Sequence, residues 1–513
     1  MLFTKIPVVN KLLSLLITMY KKIEKIITPV FHGKKIIWII LILGIIFRIS
    51  QYLFNRSLWL DESHVALNIV NKNYLNFLEP LDYHQGAPFG FLAIEKFFIQ
   101  IFGNTDLVLR LFPLIAGILS LFLFYKVATF FLERRACLIA FGLFSISDPL
   151  IYYSSELKQY SSDVTVFLII LLIVSMIIKK KSNFYFILLA VSGAVLIWFS
   201  HPTIFAITGV GLSLGVFYLL KKDKISFIKL LVVISIWFIS FSIFYFVSLK
   251  FLANDRYMAN FWSGSFIASN PTHMSFFDWY LKETFGIFEY PTGAYFPGLA
   301  CIAFIVGLVV FFKTKKLKLA ILYFPILITA IASILHMYPF SGRLILFMVP
   351  VFLILIGEGI SELFNIKFFN TNLLGILVLF LLFIHPLTND LKHLIHPRTR
   401  DEIKPVMQYL SQNRKKGDTI FLYALAENAF KYYAPKYNFS QQDFIVDKLF
   451  KGSLENLNRF RGTKRFWILF SHISPFKKCG KDTYLSYLEL VGKKLKSFSS
   501  AGASVYLFDL SSP

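Results

Sequence analysis

Ser57-Leu58-Trp59-Leu60-Asp61-Glu62-Ser63-His64 stands directly after the first long apolar run of the chain, residues 35–54. An Asp at the centre of a spanning helix costs about 2.5–3.5 kcal/mol on insertion scales. A carboxylate at position 61 therefore belongs at a membrane interface or in a wet cavity. Two adjacent acids there, in a chain with only 16% charged residues, are the first candidates for chemistry. The plainer reading is a helix start, with the carboxylates capping free N–H groups and favouring the macrodipole.

The apolar run before this octapeptide is one of many. The 513 residues are 56% hydrophobic with mean hydropathy +0.64. Solid apolar segments of about 20 residues, long enough to span a bilayer, recur between residues 36 and 387. A β-barrel would show weak ten-residue alternation instead. The pattern predicts a polytopic α-helical membrane protein of about eleven transmembrane helices, at 35–54, 106–131, 136–152, 162–178, 183–200, 203–220, 226–249, 297–312, 318–336, 344–363 and 371–387.

Net charge is +24, but the lysines and arginines cluster in short turns between apolar runs. Glu133-Arg134-Arg135, Lys179-Lys180-Lys181, Lys221-Lys222-Asp223-Lys224 and Lys313-Thr314-Lys315-Lys316 follow the positive-inside pattern, which argues against nucleic acid as the partner. All fall on the cytoplasmic side only if residues 88–102, short for a span and carrying Glu95 and Lys96, form a juxtamembrane helix on the outer face. The outer side then receives residues 55–105, the joint 152–163, His201-Pro202, the loop 250–296, the joint 336–343 and everything beyond about 388.

Three segments follow. Residues 1–34 read as a cytoplasmic or interfacial amphipathic stretch interrupted by lysines, 35–390 as the membrane domain, and 391–513 as a small α/β domain on the outer face. In the last, a helix is expected at Ile403–Asn413 and strands at Thr419–Tyr423, Phe466–Phe470 and Ser504–Phe508. Cys137, Cys301 and Cys479 match no metal or redox spacing, and no phosphate-cradling glycine loop occurs. No metal site and no cofactor is expected, although a divalent cation stays open.

The remaining polar residues gather on the same outer side. Arg56, His64, Asp82, His84 and Gln85 flank the acid pair. Arg110 starts the second span, Glu156, Lys158 and Tyr160 occupy one outer joint, His201 another, and Arg343 opens the tenth span. Headgroup anchoring and an aromatic belt account for some of these. Together they supply what group transfer from a lipid-borne donor needs: a carboxylate base, and cations for a leaving phosphate. Asp61 and Glu62 are the catalytic candidates. Arg110, Lys158 and Arg343 are the donor-phosphate candidates, with Arg56, His64, Asp82, His84, Gln85, Glu156, Tyr160 and His201 as pocket residues. A transporter or flippase of a lipid-linked glycan is the alternative, but it would place ionisable groups near the midplane and show inverted repeats. A non-catalytic scaffold would not need clustered acids and bases.

Ser57-Leu58-Trp59-Leu60-Asp61-Glu62 resembles the first-loop signature of the C-type-fold (GT-C) membrane glycosyltransferases, nearest the dolichyl-phosphate-mannose protein mannosyltransferases and the bacterial aminoarabinose transferases. Gln85-Gly86-Ala87-Pro88-Phe89-Gly90-Phe91, Phe102-Gly103 and Leu109-Arg110-Leu111 are similar to the stretch that follows that loop in bacterial members. Tyr153-Ser154-Ser155-Glu156-Leu157-Lys158-Gln159-Tyr160 resembles their Tyr-Ser-x-Glu-x-Arg-x-Tyr joint, with lysine for the usual arginine; Ser200-His201-Pro202 and Gly342-Arg343 also match. The resemblance spans about residues 36–390. It implies an inverting transfer of a sugar from a polyprenyl-phosphate donor to an acceptor hydroxyl of glycan, lipid or protein, with Asp61 as general base. The lack of a cysteine framework in the outer domain fits a bacterial inner membrane, with the site and the C-terminal domain facing the periplasm or exterior, and leaves a eukaryotic endomembrane open. Where many relatives carry His-Pro-Pro this chain has Gln85-Gly86-Ala87-Pro88, so that histidine's role does not pass to His84.

Overall fold

The computed structural model describes residues 33–267, 283–366, 372–447, 455–473 and 480–511. The expected amphipathic stretch at 1–34 lies almost wholly outside them.

Nine helices among the described residues are long and apolar enough to cross a membrane. They include α1 (Lys35–Leu53), α4 (Leu111–Phe131), α7 (Tyr160–Lys179), α9 (Thr203–Leu220), α10 (Lys224–Phe244), α11 (Pro297–Thr314), α12 (Lys316–Ile334), α13 (Val349–Leu363, after a 3-10 turn from Gly342) and α14 (Leu373–Ile395). α2 (Leu60–Asn71) and α3 (Phe89–Phe102) stand between α1 and α4. At 14 residues α3 is about 21 Å long, short of a hydrocarbon core of about 30 Å, and Lys96 ties it to the carbonyl of Ile69 in α2 at 2.9 Å.

The two other expected spans are shorter than their apolar runs. The run 136–152 forms α5 (Arg134–Ser145) and, after a break, α6 (Asp148–Tyr153). The ring of Pro149 would clash with the carbonyl four residues earlier in a continuous helix, at Ser145 where α5 ends, and its missing N–H is tolerated in the first turn of α6. The break is held by Ser147, whose hydroxyl donates to the carbonyl of Thr292 at 3.0 Å. The run 183–200 gives α8 (Asn183–Leu196), ending in turns before Pro202.

α7 and α13 are buried along nearly their whole length and form the centre of the bundle. α11 and α13 touch through their backbones. A methyl on Gly307 would lie 1.9 Å from the carbonyl oxygen of Leu355, and one on Gly359 1.8 Å from that of Ala303. Helix association in lipid relies on such close approach because apolar burial gives little drive there. α1, α8 and α10 expose a girdle of Trp38, Ile42, Phe184, Ile187 and Phe238, the surface that hydrocarbon would cover.

The basic turns meet one another. Arg134 reaches the carbonyl of Gly33, Arg135 binds Ser361 and Asn365, Lys181 pairs with Asp223 and Lys315 with Glu358. The opposite helix ends carry the acid-rich loops and the C-terminal domain.

That domain is a five-stranded mixed sheet of order β2-β1-β3-β5-β4. β1 (Thr419–Leu422) pairs in parallel with β2 (Phe444–Val446) and β3 (Phe466–Ser471), while β5 (Ala503–Asp509) runs antiparallel between β3 and β4 (Lys493–Ser500). Helices α15 (Ile403–Asn413), α16 (Glu427–Tyr433) and α17 (Lys481–Val491) complete it. Because α14 continues to Ile395, the domain begins a few residues after the expected boundary at 391.

Candidate functional site

Successive helix positions are rotated by about 100°, so the two acids of α2's first turn must part company. Glu62 turns inward and is fully buried, whereas the side chain of Asp61 keeps a fifth of its surface.

Glu62 is surrounded by donors. Arg110 binds it with both ends of its fork, Nε to Oε1 at 2.8 Å and Nη2 to Oε2 at 2.6 Å. The backbone N–H of Leu157 donates to Oε1 at 2.8 Å, and that of Trp59 to Oε2 at 3.4 Å. Arg110 spends its other donors on the carbonyls of Arg56 (2.6 Å) and Ser57 (3.2 Å). Burial alone would raise the Glu62 carboxyl, but Arg110 and Arg56 hold it below the ordinary value. The position of Arg110 departs from the expected phosphate contact, and that of Glu62 from a reacting group. Both are inside the protein, pinning the loop 56–62 to the joint 152–160.

Asp61 faces cations. Arg343 Nη2 donates to its Oδ2 at 2.5 Å, and Lys158 Nζ lies 3.9 Å from the same oxygen while donating to Gln85 at 2.7 Å. Burial would raise this carboxyl; Lys158 and Arg343 outweigh it and bring it to about 2. Burial lowers the Lys158 amine, with Asp61 opposing. The Arg343 guanidinium sits 5.6 Å from the ring of Trp59, 5.5 Å from Tyr160 and 5.8 Å from Trp262, a cation–π box.

His64 is one turn beyond Asp61 and shares its face. Its ring stacks on Tyr83 at 4.9 Å, with Nδ1 3.3 Å from Gln85 and Nε2 2.8 Å from Asn428 of the C-terminal domain. Burial lowers its pKa to about 4, so it is neutral at pH 7.

Glu156 and Arg56 lie behind the acid pair. Glu156 is fully buried 3.8 Å from Arg56, with neither carboxylate oxygen hydrogen-bonded. Burial and then the nearby Glu62 charge raise its pKa. Arg56 donates to Ser155 Oγ at 2.9 Å and lies 4.5 Å from the Tyr152 ring. The remaining expected pocket residues stand apart. His84 is half exposed and binds Asp255 at 2.8 Å, Asp82 is exposed near Lys72 at 3.4 Å, and His201 sits against Phe244 at 5.9 Å.

The C-terminal domain contributes residues that sequence reasoning left out. Arg400 lies 3.3 Å over the ring of Trp59. With Arg343, Arg398, Tyr152, Tyr153 and Tyr290 it lines a cavity of about 440 Å³. Tyr153 and Tyr290 join hydroxyl to hydroxyl across it. Glu402 accepts from the N–H and the hydroxyl of Ser57 at 3.0 and 2.9 Å, and Tyr433 accepts from the N–H of Leu58 at 2.8 Å. Asp106 binds Lys404, Lys436 and Tyr433 at 2.9, 3.2 and 2.6 Å. The backbone donors of Ser57 and Leu58 are thus satisfied by side chains of the domain above them. The one signal in the sequence was the charge run Arg398-Thr399-Arg400-Asp401-Glu402 at the composition change. A second, apolar groove of about 450 Å³ runs between α3 and α8, lined by Phe89, Ile94, Phe97, Val195 and Trp198.

No protein-family model matches the chain, and no curated protein sequence does. Among solved structures, ArnT from Cupriavidus metallidurans in the apo state is 12% identical with a TM-score of 0.51, covering 92% of this chain and 97% of that one. The same protein bound to undecaprenyl phosphate is 11% identical with a TM-score of 0.50, covering 92% and 98%. The chain has the fold of these structures, the C-type membrane glycosyltransferase fold.

Proposed function

We propose that this protein transfers a hexosyl- or pentosyl-type sugar from a polyprenyl-phosphate-linked donor to an acceptor hydroxyl, with inversion, at the extracytoplasmic face of a bacterial inner membrane. The observation that carries the reading is the pairing of a part-exposed carboxylate, Asp61, with Arg343 and Lys158 at the edge of a cavity also lined by Arg398 and Arg400. ArnT, which shares the fold, binds undecaprenyl phosphate.

In this reading the donor phosphate enters the cationic cavity, and its prenyl chain leaves along an apolar helix surface. Arg343 and Lys158 transfer part of their pairing from Asp61 to the phosphate, which frees the carboxylate as a base. The acceptor oxygen attacks the anomeric carbon as Asp61 takes its proton. The bond from that carbon to the phosphate oxygen breaks, and the departing phosphate gains one negative charge beside the guanidinium groups. Arg110 and Glu62 act by holding the loop.

We also propose eleven crossings, with α8 and the broken pair α5–α6 passing the membrane in addition to the nine long helices. Support comes from the ends of each. Arg134 and Asn183 begin among the basic turns, while Tyr153 and Trp198 finish beside the site loops, Trp198 accepting from the N–H of Gly90.

The test is transfer from radiolabelled polyprenyl-phosphate sugars to membrane extract, using wild type and the Arg343→Ala/Lys158→Ala double variant. The reading expects transfer by the wild type and a strongly raised donor KM in the variant. An unchanged donor dependence would overturn the phosphate assignment.

A further inference from the structure

We propose that Asp148, Asp390 and His393 form a binding site for a divalent metal ion of the Zn2+ class, where the last membrane helix hands over to the C-terminal domain. One ligand atom from each lies within 4.8 Å of the others. Asp390 and His393 are one turn apart on α14 and so project from one face, and Asp148 opens α6 opposite them. Ligands about 2.1 Å from a tetrahedral zinc are about 3.4 Å apart. His393 Nδ1 and Asp148 Oδ1 are already 3.5 Å apart.

The second observation is an orphan. Asp390 is only 3% exposed, and its Oδ2 has no hydrogen-bond partner. A buried carboxylate oxygen without a donor is costly unless a cation meets it. Two arginines are near, and neither serves that oxygen. Arg48 spends its Nη groups on the carbonyls of Gly44, Ser145 and Phe144. Arg398 Nη1 donates to Asp148 Oδ2 at 2.6 Å, leaving Oδ1 turned to His393. That contact orients a ligating carboxylate, as outer partners of metal ligands do. The adjoining cavity measures about 10 Å³, and Asp148 and His393 each keep about a quarter of their side-chain surface for a fourth, water ligand. Imidazole with two carboxylates suits zinc and disfavours the hard ions Mg2+ and Ca2+.

The site would have a structural role. Gln51 grips the Arg398 backbone from both sides, its Nε2 donating to the carbonyl at 3.0 Å and its Oε1 accepting from the N–H at 3.2 Å. A metal at this point would fix the segment that carries Arg398 and Arg400 into the cationic cavity.

The experiment strips the purified full-length protein with chelator, adds ZnCl2, removes excess on a desalting column, and measures retained zinc and thermal midpoint. Wild type should retain about one zinc per chain and melt several degrees higher with zinc than without. Asp390→Asn and His393→Ala should lose both effects. Wild type that retains no zinc overturns the proposal. So does equal retention by wild type and either variant. The wild-type result stands alone if a variant fails to fold, and neither readout depends on transferase activity.

Discussion

Replacing Glu62 by Gln separates an architectural carboxylate from a reacting one. The change keeps volume and removes charge. In the native protein four N–H donors converge on the carboxylate, two from Arg110 at 2.6 and 2.8 Å and two from the backbone of Leu157 and Trp59. Gln offers one acceptor oxygen in place of two and points an NH2 at the donors left over. Arg110 then stays fully buried with its counter-charge gone. Removing one partner of a buried ion pair costs about 3–5 kcal/mol, because the other charge remains uncompensated. The loss should appear as a clearly lowered thermal midpoint in detergent or nanodiscs. Activity should fall with the folded fraction and recover in part at low temperature. A double-mutant cycle with Arg110→Met isolates the pair: the two changes together should cost less than their sum. Glu62→Gln that melts like wild type yet transfers nothing would refute this role and return Glu62 to the chemistry.

Glu156→Gln should do the opposite. Burial and the Glu62 charge raise the Glu156 pKa, so its native-state proton favours folding at low pH, and that contribution fades as pH rises through the raised value. The amide cannot ionise, so its stability relative to wild type should grow in thermal scans as pH rises from the ordinary carboxyl range through the raised value. The free-enzyme profile of kcat/KM should be flat from about pH 5 to pH 8. Asp61 at about 2 and His64 at about 4 both titrate below that window. An acid limb near pH 6 would assign the base elsewhere. Gly307→Leu should abolish stable expression, because even a methyl there would overlap the carbonyl of Leu355 at 1.9 Å. Normal yield and melting would show that α11 and α13 do not touch as described.

Much of the fold was legible because lipid imposes a simple code. Apolar runs and basic turns marked the long helices, and the expected helix at Ile403–Asn413 forms with those bounds. The expected strands form within a residue or two as β1, β3 and β5, whose residues are almost all buried. Two strands were not legible. β4 reads Lys-Lys-Leu-Lys-Ser-Phe-Ser-Ser and is mostly exposed at a sheet edge, where lysines guard against mispairing and erase the hydrophobic alternation. β2 is three residues at the other edge, too short for a pattern. The break at Ile146-Ser147 was signalled by Pro149 but hidden by the apolar residues around it.

At the site, sequence order brought Asp61, Lys158 and Arg343 into view because each stands at the outer end of an apolar run. It could not tell Asp61 from Glu62. That distinction depends on helix phase and on Arg110, 48 residues away. Nor could it foresee Arg400 on Trp59 or Glu402 on Ser57, contacts across more than 300 residues of chain that exist only once the C-terminal domain docks.

Asp61 is the proposed general base. Its most direct test compares purified wild type with Asp61→Asn for transfer of label from a polyprenyl-phosphate sugar, alongside binding of the same donor. Intact folding, retained donor binding and transfer reduced at least about a hundredfold are expected, since general-base loss alone costs about 10²–10⁴. Transfer by Asp61→Asn at the wild-type rate would contradict that role.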